Sequence, residues 1–388
     1  MTLTNTNLGS AVPGVRAPLL DCIQSNLAVL ADHHHGAGTH LALGATLRFQ
    51  CRPTDSGLPT VEPSFSDQLA EVKALGLHAR SVHMGTSGAD LARIAEEEGP
   101  LYIVADSYSM PWSPYYGRRH MEHSLIAVDQ NGRAQVTDAY HNPTPWGLSE
   151  PGQWVYGWEE IPRASITVVF TPSAGGPPTC SPTISLGDAD AYLAAYAAHP
   201  DRLAALEQLS TETWLLARSR KLHAAFRVSL GLPDQQEVND HLRRWDRMAE
   251  QAYIALRRVQ RGRAEPERLI PDLADTIAAD TAVFGTSSLP VRRFAQRTTG
   301  ESGSPQAASE VRAVVLGAVT SVFSTNEAAV LAGADLTDLI GYSSFRLIAL
   351  VERIEHELGI EFDPEDLVPE NLHRLDDLVH LATSTQNR

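Results

Sequence analysis

Three side chains in this sequence have the types and order needed for nucleophilic acyl transfer: Cys22, His123 and Asp138. Cys22 follows Pro18 and Asp21 and opens a helically spaced run, CIQSNLAVLADHH, so its thiol is expected in the first turn of a helix. A helix N-terminus favours thiolate over thiol. Asp21 opposes that by like charge, so a histidine partner is required. His123 opens the strand HSLIAVD and Asp138 closes the strand RAQVTD, with the hairpin turn DQNG (129–132) between them. Antiparallel pairing across that turn makes the two residues lateral neighbours. Asp138 then holds the imidazole tautomer and His123 activates Cys22. Oxyanion donors are expected from backbone N–H groups, including that of Cys22, or from Gln24 or Asn26. His120 competes as base but falls in the polar loop RRHME.

The elements that must position these groups follow from periodicity. LYIVAD (101–106), 123–129, 133–138 and SITVVF (165–170) read as strands. Helical spacing appears at 21–34 and 66–76. Residues 1–185 therefore form an α+β domain. Residues 186–284 are helical throughout, with stops at Pro or Gly. A stretch rich in Ser, Thr, Gly and Pro, 285–308, reads as a linker. Residues 309–388 hold three amphipathic helices, at 311–323, 343–359 and 371–384.

The 388 residues carry a formal net charge of −16, which excludes a broad nucleic-acid surface. Fourteen Asp or Glu against four Arg in 310–383 place most of that excess in the last segment. No apolar run is long enough to span a membrane, and the first residues do not read as a secretory signal. Three cysteines, Cys22, Cys51 and Cys180, are too few for a disulfide framework, which fits a reducing cytoplasm. Cys51 and Cys180 read as buried hydrophobes. His33, His34, His35 and His40 read as polar residues closing a helix, and no metal is expected.

GYSSFRLIALVERIEHELGIEFDPEDL (341–367) resembles the acyl and peptidyl carrier proteins. That resemblance implies an all-α bundle with Ser344 carrying phosphopantetheine, installed by a phosphopantetheinyl transferase. Ser343 stands where the family usually has Asp. The order Cys, His, Asp resembles the papain-like cysteine peptidases, the bacteriocin-leader peptidases among them; those place a glutamine where this chain has Arg16. DCIQSNLAVLADHHHG and ADSYSMPWSPYYGRRHMEHSLIAVDQNGRAQVTDAY resemble the butirosin-type side-chain acyltransferases over roughly 17–265. This implies Cys22, His123 and Asp138 as the reactive set and Asp106 and Tyr108 as pocket residues. It also implies transfer of an aminoacyl group from a carrier thioester, in cis or in trans, to a small-molecule amine in antibiotic biosynthesis.

Ten of the sixteen Tyr and Trp residues fall in 102–158. Trp112, Tyr115, Tyr116 and Trp146 are expected, with Tyr108, to wall a pocket for a polar ring. Arginines at 243–263 read as a solvated face or as a dock for the acidic segment. Three other readings stay open. The triad could hydrolyse a thioester or peptide, the amine could attack the carrier thioester directly, or the chain could be a scaffold.

Overall fold

A computed structural model describes residues 8–54, 56–285, 305–323, 330, 331, 335, 336, 344–363, 366, 367, 371, 372 and 374–386. The chain is mixed α/β and divides into two units. One comprises the described residues up to Pro200 with Thr211–Trp245 and Ile277–Gly285. The other comprises Asp201–Ser210, Asp246–Thr276 and the described residues from 305 on.

The first unit starts with three short strands, β1 (Thr46–Phe49), β2 (Arg52–Pro53) and β3 (Pro59–Thr60). Then come β4 (Leu77–Thr86), β5 (Leu101–Asp106), β6 (Glu122–Gln130) and β7 (Arg133–Asp138). The last are β8 (Asn142–Thr144), β9 (Gly147–Ser149), β10 (Gly152–Tyr156), β11 (Ala164–Pro172) and β12 (Thr183–Leu186). Six of them form one antiparallel sheet in the order β10-β7-β6-β5-β11-β4. The strands expected at 101–106 and 133–138 appear with those bounds; the other two expected strands are longer at both ends. The β6–β7 turn has Asn131 at φ 55° and Gly132 at φ 80°, the left-handed pair that a two-residue hairpin needs. β4 lacks an apolar alternation because it is an edge strand, with only Leu77 and Thr86 buried.

Strand alternation splits the sheet into two faces. Tyr102, Val104 and Ile126 pack with helix α1 (Cys22–His35) in one core cluster. Leu101, Ile103, Ala105, Leu125, Ala127 and Val136 belong to a second cluster, which includes Leu91 and Ile94. These two come from α3 (Gly88–Glu98), which follows α2 (Phe65–Glu71).

Four helices follow the sheet: α4 (Ala189–Ala198), α5 (Arg202–Ser229), α6 (Gln236–Gln260) and α7 (Leu269–Phe284). Within the first unit a polar network is fully buried. Asp280 Oδ2 accepts from Arg220 Nε at 3.0 Å, and Asp280 Oδ1 accepts from Trp245 Nε1 at 3.0 Å and pairs with His241 Nε2 at 2.8 Å. Arg220 also lies over the Trp245 ring, 4.6 Å from its centroid. Removing one partner of such a pair leaves an uncompensated charge in the interior. Asp280→Ala is expected to lower unfolding free energy by about 3–5 kcal/mol in urea titration. Asp240→Ala, which breaks the exposed pair with Arg243, should cost within about 1 kcal/mol. Equal losses would remove the network from the stability account.

In the second unit, α8 (Pro305–Phe323), α9 (Ser344–Leu358) and α10 (Leu375–Gln386) share one apolar core. Val315, Val319, Leu350, Ile354, Phe362 and Leu378 are at its centre. These three helices correspond to the expected ones. Of the expected linker, 286–304 lies outside the described residues, and α8 begins within its end, at Pro305. Ser343 also lies outside them. No helix among the described residues is long and apolar enough to cross a membrane.

Candidate functional site

Cys22 is the first residue of α1, and its start is dictated locally. The Asp21 carboxylate accepts from the backbone N–H of Ile23 (2.9 Å) and Gln24 (2.7 Å), while Asp21 N donates back to Gln24 Oε1 at 3.4 Å. This capping box places the thiol in the first turn and engages Gln24.

One turn on, Asn26 fills the gap where β6 and β7 diverge beyond the Ile126–Thr137 pair. Its amide donates to Ser124 O at 2.9 Å, Ser124 Oγ at 3.0 Å and Asp138 Oδ1 at 3.3 Å, and its oxygen accepts from Ala139 N at 3.0 Å. Every polar group of this side chain is engaged within the fold. Asn26 is therefore a strut between strands, and the expectation that it serves as an oxyanion donor is corrected.

The structure brings His123 and Asp138 together. His123 Nε2 lies 2.7 Å from Asp138 Oδ2, and both are buried. Trp112 Nε1 donates to the same carboxylate oxygen at 3.2 Å, and Tyr140 N donates to the other at 3.0 Å. A carboxylate only accepts, so Nε2 carries the proton and Nδ1 is the basic nitrogen. Nδ1 is buried without a hydrogen-bond partner. The Cys22 thiol approaches the same strand at its first residue, with Sγ donating to Glu122 O at 3.6 Å. No hydrogen bond joins Sγ to His123 Nδ1. His123 continues the sheet face of Leu125, Asp138 that of Val136, and α1 packs on the opposite face.

No protein-family model and no curated protein matches this chain.

The electrostatics favour a protonated thiol at rest. Burial pushes the Cys22 thiol well up, and the Asp21, Glu62 and Asp138 carboxylates push the same way. The Cys22 backbone N–H pulls the other way and does not offset them. Burial also works to raise Asp138, but the His123 charge and bond, with the Tyr140 and Asn26 donors, hold it below the usual carboxylate value.

Arg218, to which the sequence offers no pointer, ties this site together. Its guanidinium donates to Ala17 O at 3.1 Å and to Leu20 O, just ahead of α1. It also donates to His141 O at 3.1 Å and Asn142 Oδ1 at 3.0 Å, just after β7. The segments carrying Cys22 and Asp138 are joined through one half-buried cation.

Asp106 pairs with Glu122 across β5 and β6. It accepts from Tyr108 N at 3.0 Å and Met121 N at 3.2 Å, and His120 Nδ1 lies 2.6 Å from its Oδ2. Partial burial would raise this carboxyl, but those contacts hold it below its ordinary value. Tyr108 stacks on His120, with centroids 4.2 Å apart. His120 thus belongs to Asp106. The expected aromatic wall divides. Trp112 stacks on Trp154 and Tyr115 is buried edge-on to Trp146, whereas Tyr108, Tyr116 and Trp146 are exposed.

A cavity of about 210 Å³, lined by Ser10, Ala11, Gly14, Asp32, His33 and Ala37, lies at the far end of α1. Asp32 is ~15 Å along the helix from Cys22. Cys51 is exposed and Cys180 half-buried, contrary to the expectation that both are buried. Cys51 lies in the loop ahead of β2, whereas Cys180, ahead of β12, packs only at the margin of the core that contains α1. His40 is held by Asp32 Oδ2 at 2.8 Å and by Arg16 N at 3.2 Å. Among the described residues no group of three or more His, Cys, Asp or Glu is placed to hold a metal.

Proposed function

We propose that this chain is a cysteine-dependent acyltransferase that makes an amide from an acyl or aminoacyl thioester and a small-molecule amine. In this reading the first unit is a papain-like catalytic domain and the last three helices are a carrier bundle. The observation that carries it is the buried His123–Asp138 pair, whose Nδ1 has no partner, beside the Cys22 thiol at a helix N-terminus.

Ser344 is the first residue of a fifteen-residue helix, where free N–H groups favour an esterified phosphate. Phosphopantetheine held there would supply a thiol bearing the acyl group as a thioester. The chain's own residues do the rest. His123 Nδ1 takes the Cys22 proton as sulfur attacks the thioester carbonyl, and returns it to the departing thiol. An acyl-Cys22 remains. His123 then takes a proton from the attacking amine, the C–N bond forms, the C–S bond breaks, and the proton passes to Cys22. Asp138 keeps the imidazole oriented and stabilises its charged form. Burial of the pair limits competing hydrolysis.

Direct amine attack, with Cys22 only positioning the donor, is the second reading. It is favoured by the Sγ contact to Glu122 O rather than to His123, and by the raised thiol. Intact-mass analysis separates the two. The protein is incubated with an aminoacyl thioester of pantetheine, without amine. An adduct on the wild type, absent in Cys22→Ala and discharged by added amine as amide, is expected. Release of free acid regardless of amine would make the chain a thioesterase, and activity retained in Cys22→Ala would establish direct attack. No turnover in any arm would leave the scaffold reading.

A further inference from the structure

Within the second unit, the C-terminal end of α6 and the residues just after it meet α9 through charge. Arg261 Nη2 lies 2.7 Å from Glu352 Oε1, and Arg257 Nε lies 3.4 Å from the same oxygen. Arg263 Nη1 lies 3.0 Å from Glu361 Oε1 and 3.9 Å from Glu355 Oε2, and Arg258 Nη1 lies 3.7 Å from Glu361 Oε1. Four arginines within seven residues thus meet three glutamates within ten. Beneath them Ile254 packs against the apolar core of the three terminal helices. The gap at this contact holds about 30 Å³ of open volume.

Each of these pairs is at least partly exposed, and such pairs are individually weak and screened by salt. Their number is what matters. The terminal helices belong to a segment with ten excess negative charges, and the arginines face three of its carboxylates. The contacts fall at Glu352 and beyond, ~12 Å along the helix from its first residue, Ser344. The first turn of α9 is outside them.

We propose that Arg257, Arg258, Arg261 and Arg263 form a docking site for the acidic helix Ser344–Leu358 of the same chain. The site is a salt-releasable clasp that grips the helix by its C-terminal half. It stands on these contacts alone and does not require the acyl-transfer reading. A clasp of weak, exposed ion pairs over a small apolar contact can open and re-form. A fully buried apolar contact would hold the helix permanently.

The test is hydrogen exchange of the full-length protein at submicromolar concentration. Arg257→Glu/Arg261→Glu should raise amide exchange in 246–263 and 344–358 by about ten-fold, the order expected for losing several coupled surface pairs. Salt at 1 M should do the same to the wild type. Adding Glu352→Arg in the same chain should restore protection. Unchanged exchange in both the double variant and high salt would overturn the clasp. Protection regained by mixing the double variant with a Glu352→Arg chain would overturn its intrachain character, since those two can complement only between molecules.

Discussion

Cys22→Ala should abolish the acyl adduct and lower amide formation by at least about 10³-fold, with thermal stability nearly unchanged. The rate estimate follows from removing the nucleophile of a catalytic set whose members act as a unit. The stability estimate follows from the side chain's surroundings. Cys22 is half-buried, and its thiol makes only a weak contact to Glu122 O at 3.6 Å. Its helix is capped by Asp21 and Gln24 whether or not sulfur is present. A large loss of rate with an intact melting transition would therefore mark chemistry rather than folding. The measurement is single-turnover amide formation from an aminoacyl thioester, beside calorimetry on the same preparations. A variant within ten-fold of wild type would show that sulfur is not the nucleophile.

Asp138→Asn should lower the rate by about 10⁴-fold, for a reason specific to this geometry. The carboxylate accepts from His123 Nε2 and so leaves Nδ1 basic. An amide nitrogen at that position donates instead, moves the ring proton to Nδ1 and removes the base. The same substitution should change acid stability. The folded Asp138 carboxyl lies below its unfolded value of 3.8. Its contribution is therefore present above pH 3.8 and is lost as pH falls through the lower folded value. Wild type should lose stability in that window more steeply than Asp138→Asn, as read by urea midpoints at pH 7 and pH 3. Parallel acid limbs would mean that the carboxylate is not held by its partners in the folded state.

The two expectations concern residues 116 positions apart in the chain, and the sequence located them by local signals only. The capping residues on either side of Cys22, the Asn-Gly turn and the bounds of β5 and β7 are written in short patterns of a few residues. Such patterns act through backbone geometry and need no partner from elsewhere. The His123–Asp138 contact follows from that turn, because antiparallel pairing around two left-handed residues dictates which side chains are neighbours. The excess negative charge of the last segment is likewise a matter of counting.

Tertiary packing decided the rest. Asn26 became a strut rather than an oxyanion donor because α1 meets the sheet where two strands diverge, and unpaired strand groups there need donors and acceptors. Arg218 holds both halves of the site through acceptors some 75 to 200 residues away, a contact no local pattern encodes. His120 went to Asp106 because β5 and β6 are paired in that register. The upward push on the thiol comes from burial and from carboxylates brought in from separate elements, which a reading of the helix end alone does not reveal. Local chemistry of the backbone is legible in order along the chain; the net field at one atom is a sum over everything that packs around it.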